Sequence, residues 1–493
     1  MMSSFTIEII LAVAGVLLLA LDAFAPGLNR KTIPWIAIGV TGFALIAMLS
    51  SCGCQPPAWL APYYAVDSLA LFYKSFALLT TLIVLILALE ADPITAHFTS
   101  SEGIRTRIGE FYALPLLICA GMMWMASAKD LLTVFVPLEL VTVSFYVLVA
   151  FTRRSAASLE AGVKYLILGA LSTGILVYGI AWIYGATASL SFEGIAAAAA
   201  KTETNQTALL LGAALLLAGL GFKVGAAPFQ IWIPDVYQGA PTPVTAFLSV
   251  GSKAAGFAVL TRAVTAFSGH GSTIAPQIEK ALLVAAALTI VLGSLPAIFQ
   301  TNVKRLLAYS SISHAGFIIL GLACGGSAKF GMSAPGLVQF YLATYLPMTL
   351  LGFLILTILR SQGIGDNLKD LTGLAKRNPA IAFALTVALA SMAGLPLTSG
   401  FMAKMLIFIA AIEHAHYGII VVAIIGAAAG FYYYFRPILS MYSSGDSDAS
   451  KLTCSPLARV TALVLIAAVI VLGVYPKLLQ STLQPAKVVI ESR

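Results

Sequence analysis

Apolar runs of about 20 residues recur from one end of this chain to the other, separated by short polar or Gly/Pro-rich intervals. A hydrocarbon core about 30 Å thick takes about 20 residues of helix to cross, so the pattern predicts membrane helices. Fourteen spans are predicted, at 5–25, 33–51, 66–90, 110–128, 131–152, 160–184, 207–238, 242–268, 277–300, 304–324, 332–360, 379–413, 417–442 and 458–476. The first resembles a signal peptide at Ala23-Phe24-Ala25, but its leader has no basic residue and Pro26 follows the supposed cut, so it is read as a membrane helix.

Two spans are too long and broken in the middle. The seventh contains Gly219-Leu220-Gly221-Phe222-Lys223-Val224-Gly225-Ala226-Ala227-Pro228 and continues through Pro234, and the twelfth contains Ala393-Gly394-Leu395-Pro396 ahead of Lys404. Proline removes a backbone donor and clashes with the preceding turn, so Pro228 and Pro396 are predicted helix breaks. Unwound backbone at membrane depth needs protein or water around it, which predicts polar interior cavities. The breaks lie five spans apart, an odd number, so the two helices cross in opposite directions, as inverted repeats require. The expected fold is an all-α polytopic membrane protein with two inverted five-helix repeats, each holding a discontinuous helix. Residues 1–109 would form an N-terminal three-helix segment, 110–268 and 277–442 the two repeats, and 458–493 a C-terminal helix and tail.

Composition agrees with this class. Of 493 residues, 60% are hydrophobic and 10% charged, and the mean hydropathy of +0.96 exceeds what a soluble fold could bury. The net charge of +8 is mostly topological. Fifteen Lys and Arg fall in odd-numbered loops, including Arg30, Arg105, Arg153, Lys304, Arg360 and Lys451, against Lys129, Lys201, Lys280 and Lys329 in even ones. The positive-inside rule then puts odd loops in the cytoplasm and both termini on the other side. No nucleic-acid partner is implied.

Cys52, Cys54, Cys119, Cys324 and Cys454 form no metal-binding pattern, and Cys52-Gly53-Cys54 is too tight for an unstrained bridge. They are read as structural thiols. The segment Gly219 to Lys223 looks like a phosphate loop but follows no strand.

The remaining chemistry is buried charge. Glu139, Lys164, Lys223, Lys253 and Lys404 lie within apolar spans, where each costs about 3 kcal/mol at the bilayer centre on insertion scales. Burial disfavours the charged form of lysine and glutamate alike, and a nearby opposite charge restores it, so a lysine that gains and loses such a neighbour carries protons. Glu139 has no basic partner in its own helix, which leaves Lys164 or Lys223 as its counter-charge. Glu160, one turn before Lys164, is a competing partner. Lys74, Lys129 and Arg262 are expected to snorkel to the interface. His314 is the histidine well within a span, either a packed core group or a relay. Phe431 to Arg436 reads as an interfacial aromatic belt, Asp235 as a local cap or pair, and Ala196 to Ala200 as a loop or short helix.

Taken together these residues closely resemble the antiporter-like membrane subunits of respiratory NADH:quinone oxidoreductase, complex I, of the subunit N type. The likeness is carried by Ser158-Leu159-Glu160-Ala161-Gly162-Val163-Lys164-Tyr165, Gly219 to Lys223 with Pro228-Phe229, Trp232-Ile233-Pro234-Asp235-Val236-Tyr237-Gln238-Gly239-Ala240-Pro241-Thr242-Pro243-Val244, Ser252-Lys253, Lys304 to Ile312 and Ala393 to Pro396 with Lys404. The resemblance implies a 14-helix subunit that moves protons while electrons pass elsewhere in the complex. It has no redox centre of its own, FMN, iron–sulfur clusters and quinone belonging to other subunits. Its partners would be the other membrane subunits, the NADH-oxidising peripheral arm and the lipid bilayer of the bacterial inner membrane.

Glu139 and Lys223 would be a coupled pair, Lys164 its modulator, Lys253 the central-axis lysine and Lys404 the terminal one. Gln230 stands where many relatives have histidine, so water or His314 would have to substitute. Multi-subunit cation/proton antiporters share the helical unit but typically read Pro-Asp-Ala-Met where this chain has Pro234-Asp235-Val236-Tyr237. A purely structural membrane-arm subunit is the third reading.

Overall fold

The computed structural model of the chain describes residues 3–25, 31–50, 56–99, 109–269, 271–444 and 452–483. Cys52-Gly53-Cys54, Arg30, Arg105, Arg107 and Lys451 lie outside them. Among the described residues thirteen helical spans are long and apolar enough to cross a membrane. The remaining span is the broken pair Pro379–Ala393 and Ser399–Glu413, so fourteen crossings are built as expected. Helix starts follow side chains that accept from orphan backbone donors: Asp130 caps Leu131–Val149, Ser155 caps Ala156–Thr187, and Asn302 caps Val303–Ala323. The alanine run falls in a short helix, Phe192–Ala199.

Glycine, placed ahead of each proline, ends the half-helices. Gln206–Val224 stops at Gly225 and Pro379–Ala393 at Gly394, both left-handed, with φ of 81° and 92°. The amide of Ala226 returns to the Gly221 carbonyl and that of Leu395 to Ala390, each closing a Schellman turn. After the first break the chain makes a 3-10 turn, Phe229–Trp232, and a short helix, Ile233–Gly239. The eighth span has an interruption that no proline announced: Thr242–Phe247 and Lys253–Phe267 flank a π turn, Leu248–Ser252, that holds the Gly251-Ser252 pair and leads directly into Lys253.

The spans divide sharply by burial. The apolar window of the eighth is 100% buried, of the tenth 89% and of the eleventh 94%, whereas the first, second and thirteenth reach only 33%. The eighth, tenth and eleventh therefore form the protein's own axis, and polar groups there have no lipid face to escape along. The ninth and tenth spans approach closely because a Cβ on Gly293 would stand 2.3 Å from the Ser313 amide.

Candidate functional site

At the first break Lys223 occupies the last turn of Gln206–Val224, 8% exposed, and donates to the Thr142 hydroxyl at 2.5 Å. Thr142 passes its own proton to the Leu138 carbonyl at 2.6 Å. Glu139 lies three residues before Thr142 on Leu131–Val149, half-buried, and accepts from Thr173 of the sixth span at 2.9 Å. Glu139 and Lys223 thus converge on one helical turn without touching. Neither is in an ion pair among the described residues, and each is held by its own hydroxyl, Lys223 by Thr142 and Glu139 by Thr173.

Lys164 does not reach Glu139. It pairs with Glu160 at 2.7 Å and Asp235 at 2.8 Å, with its side chain 42% exposed. Asp235 also binds Arg305 of the tenth span at 2.6 Å, so it is a junction between three spans and not a local cap. Gln230, in the 3-10 turn of the break, is buried with no partner for its Oε1.

On the central axis Lys253, 2% exposed, donates to the Ser311 carbonyl at 2.5 Å and to the Ser311 hydroxyl. Tyr237 lies 3.4 Å from that hydroxyl, and Ser249 and Tyr345 are bonded at 2.9 Å beside it. One turn along the same helix His314 meets Tyr341 at Nδ1, 2.7 Å, and Tyr434 at Nε2, 3.2 Å. Both partners are hydroxyls that donate or accept, so either tautomer is satisfied. Within the run Phe431 to Arg436, read as an interfacial aromatic belt, Phe431 and Tyr432 are exposed as such a belt would be, but the next two are not. Tyr433 and Tyr434 are buried because their rings face the tenth span, where Tyr434 also bonds Ser310.

At the second break Lys404 turns back on its own span. Its ammonium donates to the carbonyls of Met392 at 2.9 Å and Ala393 at 3.0 Å, the last of Pro379–Ala393, and lies 5.5 Å from the Phe317 ring centre. Orphan carbonyls at a helix end carry partial negative charge, which suits a cation.

Several charged groups sit where sequence reasoning did not place them. Lys74 does not snorkel: it is fully buried in an ion pair with Glu8 at 2.9 Å, because the first and third spans bring an acid to it inside the bundle. Arg262 is likewise tied down, to Asp67 at 2.9 Å and to the Ala126 carbonyl. Burial would raise the Asp67 carboxyl, but the hydrogen bonds and charge of Arg262 outweigh it and hold it below its ordinary range. Lys129 is exposed and donates to Ala61, near the interface as expected. Lys304, counted as a loop cation, is buried and caps Ala240 at 2.6 Å. It lines a cavity of about 110 Å³ with Gln238, Thr242, Arg360 and Asp366, between the ends of the seventh, eighth, tenth and eleventh spans. Cys119 and Cys324 are buried free thiols and Cys454 is half-buried. The one sequence signal for the missed acid was Glu8 itself, a carboxylate at the head of an apolar run.

The family described as NADH:quinone oxidoreductase/Mrp antiporter, TM, matches residues 128–430. The NADH-quinone oxidoreductase subunit N of Desulforamulus reducens is 36% identical over 480 residues, covering 96% of this chain and 95% of that protein. Its counterpart in Halorhodospira halophila is 37% identical, covering 97% of each. A chain of respiratory complex I from Thermus thermophilus superposes with a TM-score of 0.79 at 33% identity, covering 96% of this chain and 98% of that one. A chain of the Mrp complex from Dietzia sp. shares the fold at a TM-score of 0.81 and 22% identity, covering 98% of this chain and 96% of that one. The chain belongs to the NADH:quinone oxidoreductase/Mrp antiporter transmembrane family.

Proposed function

We propose that this chain is a proton-translocating membrane-arm subunit, of the subunit N type, in a bacterial NADH:quinone oxidoreductase. The observation that carries the reading is the way three buried lysines are held. Lys223, Lys253 and Lys404 are bound by neutral oxygens, with no ion pair among the described residues. A carboxylate partner would trap the ammonium, whereas the Thr142 and Ser311 hydroxyls accept from an ammonium and, rotated, donate to the free amine. Lys223 and Lys253 are therefore able to give up a proton without stranding a neighbour, and a neutral Lys404 keeps two N–H donors for its two carbonyls.

Residues 110–268 and 277–442 serve as the two inverted units. Glu139 acts on Lys223 through space from the same turn that supplies Thr142, so a change in its charge or position alters the cost of keeping Lys223 protonated. Glu139 and Lys164 are partly open on the outside of the chain, where charge against lipid is costly, and a neighbouring membrane subunit covers them. Quinone chemistry in another subunit would disturb Glu139, release the proton of Lys223 toward Lys253, and carry it past His314 to Lys404. Lys164, bound to Asp235 and Arg305, sets the field around the first break. FMN, iron–sulfur clusters and quinone reside on other subunits, the membrane is the bacterial inner membrane, and both termini face away from the cytoplasm.

The test is proton pumping and NADH-driven quinone reduction in assembled complexes carrying Lys223→Ala or Glu139→Ala. Pumping should be lost or severely lowered in both. Unchanged pumping in the two variants overturns the assignment, and cation exchange without redox input would replace it with an antiporter.

A further inference from the structure

The densest buried polar chemistry outside the line from Lys223 to Lys404 lies where the first, third and fourth spans meet. Glu8 and Lys74 pair at 2.9 Å with side chains 1% and 0% exposed. Tyr64 donates to the same carboxylate oxygen, Oε1, at 2.9 Å and accepts from Lys74. The Ser4 hydroxyl is 3.2 Å from Lys74 Nζ and 3.1 Å from the Tyr64 hydroxyl. Acid, phenol, ammonium and alcohol form one hydrogen-bonded ring.

The other carboxylate oxygen, Glu8 Oε2, is buried without a partner. The Ser127 hydroxyl beside Tyr64, and the Tyr73 and Thr261 hydroxyls beside each other, with Tyr73 next to Lys74 in the chain, are buried and fall short of hydrogen-bonding geometry. A buried carboxylate oxygen or hydroxyl left dry is costly, and such groups in folded proteins are usually met by ordered water. These atoms come from the first, third, fourth and eighth spans, and Thr261 belongs to the helix that begins at Lys253. On the other flank Ser4 is the first residue of its helix, next to the exposed Ser3–Thr6 contact. Asp67, 46% exposed, and Arg262 are the further charged groups facing the cluster.

We infer that Glu8, Tyr64 and Lys74 form a hydrated proton-holding site, separate from both helix breaks, that releases protons on the side where the N-terminus lies. Lys74 gives a proton to the Tyr64 oxygen as Tyr64 gives its own to Glu8, turning the ion pair into a neutral amine and carboxylic acid. The carboxylic acid then rotates about its terminal bond, carrying its proton from the Oε1 position, where Tyr64 delivered it, to the unpartnered Oε2 position, where water takes it. Lys74 is reprotonated by water from the Tyr73–Thr261 side. One proton enters and one leaves. A static ion pair needs neither the shared phenol nor the unpartnered oxygen.

This inference rests on the proton-translocating reading of the chain, so its test includes Lys223→Ala in parallel. Assembled complexes carrying the Glu8→Gln, Lys74→Met double substitution, which leaves no unpaired buried charge, and complexes carrying Tyr64→Phe are compared for quinone reduction, protons pumped per NADH, and the infrared carboxylic-acid band. Both should reduce quinone while losing the share of pumped protons that Lys223→Ala loses, and the double variant should lack a carboxylic-acid band that the parent shows during turnover. If the double variant does not assemble, Tyr64→Phe, which keeps the ion pair, decides. Parent-like pumping in Tyr64→Phe and in any assembled double variant, beside a Lys223→Ala complex that fails to pump, overturns this site alone. Parent-like pumping in all of them overturns the translocation reading itself.

Discussion

Both broken spans must satisfy carbonyls at the end of a half-helix inside the membrane, and they do so with different groups. In the seventh span the Phe222 carbonyl receives the indole N–H of Trp232 at 3.1 Å, from the far side of the break. In the twelfth the Met392 and Ala393 carbonyls receive the Lys404 ammonium. A neutral cap at the first break leaves Lys223 to reach across to Thr142 on another helix, within the influence of Glu139. A charged cap at the second ties Lys404 to the shape of its own span. Lys223 is thus built to answer a neighbouring charge, and Lys404 to answer opening and closing of the break.

The largest effect that separates them is on stability. Lys404→Met strands two buried carbonyls, and an unsatisfied buried polar group costs about 1–3 kcal/mol, offset in part by removing a buried charge. The substitution is expected to lower complex stability by about 2 kcal/mol as well as to stop pumping. Lys223→Met strands nothing, since Thr142 keeps its bond to Leu138, and is expected to stop pumping at nearly unchanged stability. Thermal denaturation of the two purified complexes measures this, and equal melting shifts would break the comparison.

Next in size is the tie between Lys223 and the fifth span. Thr142→Val removes the hydroxyl that holds the ammonium, a loss of about 1.5–3 kcal/mol for a bond to a charged group. It should lower pumping roughly tenfold or more, since 1.4 kcal/mol is a factor of ten, while Thr142→Ser retains it. Proton uptake by membrane vesicles at matched quinone-reduction rates reads the difference. No side-chain change deletes the backbone oxygens that hold Lys404, so the serine rescue is a signature of the first break alone.

How far this asymmetry was legible depends on the kind of group involved. The spans and both breaks stand out because apolar length and Gly/Pro clusters are local signals, although glycine proved to be the terminator and proline the follower. The π turn before Lys253 holds only a lone Gly251-Ser252 pair, with no proline, and so does not stand out. The lysines announced themselves by their cost, but their partners did not. Thr142, Ser311 and Tyr434 are ordinary residues of apolar helices, where a hydroxyl commonly bonds its own preceding turn, as Thr142 also does. Their pairing with Lys223, Lys253 and His314 arises from helix packing across long separations in sequence. The same holds for Glu8 and Lys74, which each look tolerable near a helix end until the bundle closes over both.

The smallest effect probes the neutral cap. Trp232 stacks against Tyr165, with ring centres 4.7 Å apart, and against Phe222, at 5.2 Å, in a three-ring cluster, so Trp232→Phe keeps an aromatic ring in place and deletes the N–H that meets the Phe222 carbonyl. One neutral hydrogen bond is worth about 1 kcal/mol, and the carbonyl sits beside a hydratable break where water is able to replace the donor. Stability should fall by about 1 kcal/mol or less, with protons per NADH unchanged, because Lys223 takes no part in that cap. A drop in pumping comparable to Thr142→Val would mean that Lys223 is drawn onto the vacated carbonyl, as Lys404 is at its own break. The two breaks would then be interchangeable by a single donor, and the division between a lysine that senses charge and one that senses backbone would rest on Trp232.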